Sequence, residues 1–184
     1  AICVRLPLPP GCLTTIWGDE ERLQGSYLNA FPGYYCSGDG GYIDDDGYVF
    51  IMGRTDDVIN VAGHRLSTGE MEEILASHKD VAECAVVAQP DELKGELPVG
   101  FVILKNSSTI GHEQLQQELI QSIRSEIGAI ACLKTLHIVP RLPKTRSGKI
   151  LRRLIRQVLQ GDDVAVPSTI DDPTSIDAIK ETLR

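Results

Sequence analysis

Lys149 ends the run Pro143-Lys144-Thr145-Arg146-Ser147-Gly148-Lys149. A lysine is a compact cation on a flexible stem, and a glycine just before it frees the backbone, so this loop suits an anionic transition state. Taken alone, the same lysine reads equally as a solvated residue opening a helix. A second candidate is Asp39, set in Ser37-Gly38-Asp39-Gly40-Gly41, where a pliant backbone can present a carboxylate to paired hydroxyls such as those of a ribose. Asp between glycines is also an ordinary turn residue. A third group brackets a break in the pattern. Arg54, Asp56 and Asp57 form a surface ion pair at the least. In Val61-Ala62-Gly63-His64-Arg65, Gly63 permits close approach of backbone or ligand, and Arg65 can meet a phosphate bidentately.

Several chemistries are excluded by spacing. A Walker loop needs glycine where Pro143 stands and a hydroxyl where Ile150 stands. The glycines around Asp39 do not spell a dinucleotide loop, since Ile43 occupies a required glycine position. Asp44-Asp45-Asp46-Gly47 lacks the alternating acids of a calcium loop, and His64, His78, His112 and His137 share no ligand spacing, so no metal site is expected. No Gly-x-Ser-x-Gly elbow supports a serine hydrolase.

These residues need elements to hold them. Residues 1–8 suggest an edge strand stopped by prolines, and 19–30 a short helix with acids in its first turn. Asp44-Asp45-Asp46-Gly47 joins Tyr42-Ile43 to Tyr48–Met52 as a hairpin. After Asp57 the pattern restarts. It predicts a strand at 58–61, a helix capped by Ser67 or Thr68 running to His78, strands at 81–88 and 99–105, a helix over 111–127, a strand at 135–139 and a helix over 150–159. This order predicts an α+β domain at 56–160. Residues 1–55 are too few to bury a good core alone and complete a larger domain upstream. Residues 161–184, rich in Asp, Pro, Ser and Thr, are expected to be a loosely held tail with a weak terminal helix.

With 18 Lys+Arg against 26 Asp+Glu the formal charge is −8, which argues against a dedicated nucleic-acid binder. The distribution is uneven, however: between Pro140 and Gln160 lie Arg141, Lys144, Arg146, Lys149, Arg152, Arg153 and Arg156, with no acid. Arg152, Arg153 and Arg156 either attract an anionic ligand or modifying protein, or form a solvated helix face. Five scattered cysteines read as free thiols in a reducing compartment. No apolar run approaches membrane-spanning length, so no membrane partner is expected. An opening Ala-Ile-Cys-Val already inside a strand predicts that the natural N-terminus, with any targeting segment, lies upstream.

Three runs together resemble the adenylate-forming enzymes, and within them the short-chain acyl-CoA synthetases of the acetyl-CoA and propionyl-CoA type. They are Tyr35-Cys36-Ser37-Gly38-Asp39, the stretch from Gly53-Arg54-Thr55-Asp56-Asp57 through Val58–Val61 to Ala62-Gly63-His64-Arg65-Leu66-Ser67, and Leu142–Lys149. They occur in family order and spacing, and the resemblance covers nearly the whole chain. It implies the small C-terminal lid domain of such an enzyme, a mixed small sheet with helices, preceded by a β-rich remnant of the large N-terminal AMP-binding domain. It also implies ATP/AMP, coenzyme A and Mg2+ as cofactors, with the metal bound mainly by the N-terminal domain. The implied partners are a short-chain carboxylate, that N-terminal domain and possible lysine-modifying enzymes acting on Lys149; the implied compartment is the cytoplasm or mitochondrial matrix.

By position, the resemblance gives Asp39 and Arg54 the ribose, Asp56 the hinge, and Lys149 the bridge between carboxylate and α-phosphate. Gly63 lines the pantetheine passage with His64 beside it, Arg65 contacts phosphate, and Arg124 meets the coenzyme A nucleotide. No phosphate loop, adenine pocket or acyl pocket is found, so the fragment alone is expected to be inactive. Pro7-Leu8-Pro9-Pro10-Gly11 and Ile16-Trp17-Gly18 lean toward the propionyl branch. The rivals are a ligase that loads carrier-borne pantetheine and a non-catalytic nucleic-acid-binding module.

Overall fold

Short strands and a hairpin carry the first unit. In the computed structural model, which describes residues 1–184 apart from the Met52 side chain, the chain divides into two units, Ala1–Asp57 and Val58–Arg184. In the first, β1 (Cys3–Arg5) pairs antiparallel with β2 (Tyr34–Cys36). Asp19 caps α1 (Glu20–Leu23) by accepting from the Arg22 amide at 2.9 Å, and a wider π turn continues to Leu28. β3 (Asp39–Ile43) and β4 (Val49–Arg54) form the expected hairpin, its turn tied by Asp44 Oδ1, which accepts from the Tyr48 amide at 2.8 Å. Leu23 is the only buried side chain among the described residues of this unit, while Trp17, Ile43, Tyr48 and Ile51 stay exposed.

The second unit is a mixed sheet covered on both faces. Its elements are β5 (Val58–Val61), β6 (His64–Ser67), α2 (Thr68–Ser77), β7 (Val81–Asp91), β8 (Gly95–Leu104), α3 (His112–Glu126), β9 (Thr135–Ile138), α4 (Arg152–Gln160) and α5 (Thr174–Thr182). The strands lie in the order β6-β5-β8-β7, with β9 parallel to β8. Alternation along the β7–β8 ribbon builds two cores, because successive side chains point to opposite faces. Cys84, Val86, Ala88 and Val102 turn toward a core completed by Met71, Leu75, Leu115, Leu119 and Ile123, from α2 and α3. Ala85, Val87, Val99 and Phe101 turn the other way, onto Leu154, Ile155 and Val158 of α4. Ser67 caps α2 through the Glu70 amide, as its position predicts.

The end of the chain corrects the expectation of a loose tail at 161–184. Ile170, Ile176 and Ile179 are buried in the second core beside α4. Asp172 starts α5 by accepting from the Thr174 amide at 2.9 Å, and it pairs with Arg141. Polar composition concealed three isoleucines, two of them at the i, i+3 spacing of one helical face. β6 was also missed as a strand: its only buried side chain is Leu66, and the segment was read as a binding motif alone.

Candidate functional site

Within the first unit, Asp39 and Arg54 face each other at the open end of the β3–β4 hairpin, where they are register partners. Arg54 Nη1 lies 3.7 Å from Asp39 Oδ1 and donates to the Ser37 carbonyl at 3.1 Å, while Nε donates to Asp56 Oδ1 at 3.0 Å. The Asp56 hydrogen bond is the chief reason the guanidinium pKa is raised. Gly38 makes this geometry possible. Its φ is +78°, and a Cβ there would sit 2.7 Å from Arg54 Nη2. Arg54 therefore lies across a backbone bared by glycine, beside the Asp39 carboxylate on one side, while the acid keeps 36% of its side-chain surface exposed. Asp56 belongs to the 3-10 turn Thr55–Asp57, and the Thr55 amide and hydroxyl both donate to the Gly38 carbonyl.

In the second unit, Gly63 lies in the two-residue turn between β5 and β6, with φ +49° at Ala62 and +87° at Gly63. Both signs are those of a hairpin turn whose twist matches its strands. A Cβ at Gly63 would meet nothing within 4 Å, so its surface is open; His64 and Arg65 beside it are exposed. The Ala62 amide donates to the Lys94 carbonyl at 2.8 Å, which places this turn at the Asp91–Gly95 end of the β7–β8 ribbon. Arg124, in the last turn of α3, lines a pocket of about 310 Å³ with Lys94, Cys132 and Lys134.

Lys149 sits at the other end of the ribbon. Its loop closes on itself: the Thr145 amide donates to the Lys149 carbonyl at 2.9 Å, the Gly148 amide to the Thr145 carbonyl at 2.8 Å, and the Lys149 amide to Thr145 Oγ1 at 3.1 Å. Lys144 anchors the loop to β7 by reaching both Glu83 oxygens at 2.8 Å. The Lys149 side chain is exposed and its ammonium has no partner among the described residues. Eight residue steps along β7 lead from Glu83 to Asp91. At roughly 3.3 Å per residue the two candidate surfaces are about 26 Å apart along the strand.

The basic stretch around Lys149 is less free than its composition suggests. Arg141 pairs with Asp172, Lys144 with Glu83, Arg152 with Glu72 and Arg156 with Glu96. These acids come from α2, the β7–β8 ribbon and the segment before α5, so α4 is bolted to the sheet rather than offered as a cationic rod. Glu72 is the tightest joint: only 14% exposed, it accepts from Arg152 Nε and from the Val86 amide, both at 2.8 Å. Its carboxylate, second to burial itself, helps push the Cys84 thiol up to about 12, so that thiol is inert. Glu72→Ala is expected to cost about 2–3 kcal/mol in denaturant unfolding, with Glu72→Gln losing less because the Val86 amide keeps an acceptor. Among the described residues no cluster of three or more His, Cys, Asp or Glu is placed to hold a metal, and no helix is long and apolar enough to cross a membrane.

Residues 70–149 match the AMP-binding enzyme C-terminal domain family. An uncharacterised protein of Pseudomonas aeruginosa is 60% identical over 184 residues, all of this chain and 29% of its own length. A propionate–CoA ligase of Escherichia coli is 47% identical over 189 residues, again covering this whole chain and 30% of that protein. The chain thus spans under a third of these relatives. The crystal structure of an ATP-bound RpMatB-BxBclM chimera aligns with a TM-score of 0.70 at 26% identity, over 83% of this chain and 30% of that one. Residues 70–149 thus place this chain with the AMP-binding enzymes, as a carrier of their C-terminal domain.

Proposed function

We propose that this chain is the C-terminal region of an ATP-dependent short-chain acyl-CoA synthetase, of the acetate or propionate type. The observation that carries the proposal is the placement of Lys149 and the Gly63 turn at opposite ends of one ribbon. Groups so far apart on one rigid body cannot both address the same reacting atom at once. A reaction in two half-steps, with the body turned between them, uses each in turn.

In the first half-step a carboxylate oxygen attacks the α-phosphorus of ATP and pyrophosphate leaves, giving the acyl-adenylate. Lys149 supplies positive charge to the crowded oxygens from an ammonium that no internal acid neutralises. Asp39 accepts from the ribose hydroxyls, and Arg54 holds that acid in place. In the second half-step a thiolate attacks the acyl carbon and AMP leaves. Gly63 gives the pantetheine arm an unobstructed wall with His64 beside it, and Arg65 and Arg124 present cations to the coenzyme A phosphates. Asp56, in the turn ahead of β5, is the hinge. Magnesium would accompany ATP; among the described residues no group of three His, Cys, Asp or Glu is placed to hold it. The exposure of Lys149 also leaves its amine accessible to a lysine-modifying enzyme.

The test is acid-dependent exchange of pyrophosphate into ATP by the full-length protein, followed by coenzyme A-dependent release of AMP. Exchange with propionate or acetate and thioester release are expected. Exchange without thioester from free coenzyme A would instead indicate a carrier-loading ligase, and no exchange with any short acid would sink the proposal.

A further inference from the structure

Lys94 and Cys132 lie 38 residues apart and meet in the second unit, with Lys94 Nζ 2.9 Å from Cys132 Sγ. Neither position is casual. Lys94 is in the tight β7–β8 connection, where Asp91 Oδ1 accepts from its amide at 2.8 Å and its carbonyl accepts from Ala62. Cys132 closes a 3-10 turn, Ala129–Ala131, in the left-handed conformation (φ +52°), which a non-glycine residue adopts only when its surroundings hold it there. Both side chains line the pocket of about 310 Å³ that also presents Arg124 and Lys134. A sulfur nucleophile and an amine are thus in contact on the wall of a pocket with three cations and no acid. Among the described residues no other cysteine sulfur is hydrogen-bonded to a lysine: Cys84 is buried against the Glu72 carbonyl, and Cys3 faces Cys36 across the β1–β2 pair.

We propose that Cys132 and Lys94 form a self-acylation site, at which the acyl group of a short-chain acyl thioester on an anionic carrier passes through Cys132 to Lys94. The Cys132 thiolate, formed beside the Lys94 ammonium, attacks the thioester carbonyl. The carrier thiolate leaves and takes up a proton. The hydrogen bond from Lys94 to the sulfur, and after it the sulfur charge, raise the Lys94 pKa; both are lost in that step, so the ammonium more readily gives its proton to solvent. The free amine then attacks the neighbouring acyl carbon, the sulfur–carbon bond breaks, and Cys132 is regenerated. In sum, one acyl thioester and one lysine ammonium give one amide, one free thiol and one proton. Contact between donor sulfur and acceptor nitrogen makes the second step intramolecular, the condition under which such transfers outrun bimolecular ones by large factors.

The supply of thioester rests on the synthetase proposal above; the transfer itself does not. The chain is therefore incubated with added propionyl-CoA, and acylated residues are mapped by peptide mass spectrometry over time. Lys94 is expected to acylate about tenfold or more faster than the other lysines, preceded by a hydroxylamine-labile group on Cys132. Cys132→Ser should reduce Lys94 to the background rate, and Lys94→Arg should halt the acyl group on Cys132 while retaining the positive charge. Lys94 acylating no faster than its fellows, or equally fast in Cys132→Ser, overturns the proposal. Should Cys132→Ser be misfolded by circular dichroism, the Lys94→Arg arm decides: no thioester on Cys132 overturns it. Because propionyl-CoA is added, failure here leaves the synthetase proposal standing, and absence of pyrophosphate exchange leaves this one standing.

Discussion

Lys149→Ala in the full-length enzyme is expected to slow acid-dependent pyrophosphate exchange by about 10²- to 10³-fold, the scale for losing one preorganised charge at a transition state. Thioester formation from supplied acyl-adenylate and coenzyme A should stay within a few-fold of normal. The asymmetry follows from where the lysine stands. Its ammonium has no hydrogen-bond or ion-pair partner among the described residues, and its loop is held by Thr145, Gly148 and the Lys144–Glu83 pair, so alanine removes a charge without loosening the loop. Stability should accordingly change by no more than about 0.5 kcal/mol, the usual range for an exposed side chain. Equal loss in both half-reactions would mean that Lys149 serves a surface common to both, and the two-ended use of the β7–β8 ribbon would be wrong.

How far the chain could be read before its fold was seen depended on whether each feature was local. The outer parts of the two ribbon strands announced themselves through the apolar runs at 81–88 and 99–105, though not their pairing or their extension to Asp91 and Gly95; α2 did so through Ser67, and α3 through the spacing of Leu115, Leu119 and Ile123. Asp39 and Arg54 could be singled out by their glycine-rich and acid-rich settings, but not their pairing, which needs the β3–β4 register. The basic stretch misled because its partners are remote: Glu72 is 80 residues from Arg152 and Glu96 is 60 from Arg156. Composition counts charges and cannot see that a fold neutralises them. The Lys94–Cys132 contact was equally hidden, since it joins a strand connection to the turn after α3 and neither segment carries a motif. A weak terminal helix was expected where α5 lies, but not its docking, for the opposite reason: two isoleucines in a polar segment are a sparse local signal that becomes decisive only when α4 offers them a core.

Asp56→Pro should separate the half-reactions in the other direction, leaving pyrophosphate exchange largely intact and cutting thioester formation by roughly tenfold or more. Proline fixes φ of residue 56 near about −65° and also narrows the choices of Thr55, so two adjacent torsions lose freedom in the one turn that precedes β5. A reaction that needs the second unit in two orientations suffers, whereas one orientation suffices for adenylation. The substitution also removes the carboxylate that accepts from Arg54 Nε, which could itself disturb Asp39, the acid proposed for the ribose. That pair is exposed, 49% and 69% at the two side chains, and is worth about 0–1 kcal/mol, so its loss should be small. Asp56→Ala makes the distinction measurable, since it deletes the same carboxylate and leaves the torsions free. If Asp56 acts as a hinge, alanine should retain most thioester formation and proline should not. If both variants lose it alike, the residue acts through its grip on Arg54, and the turning point lies elsewhere in the chain.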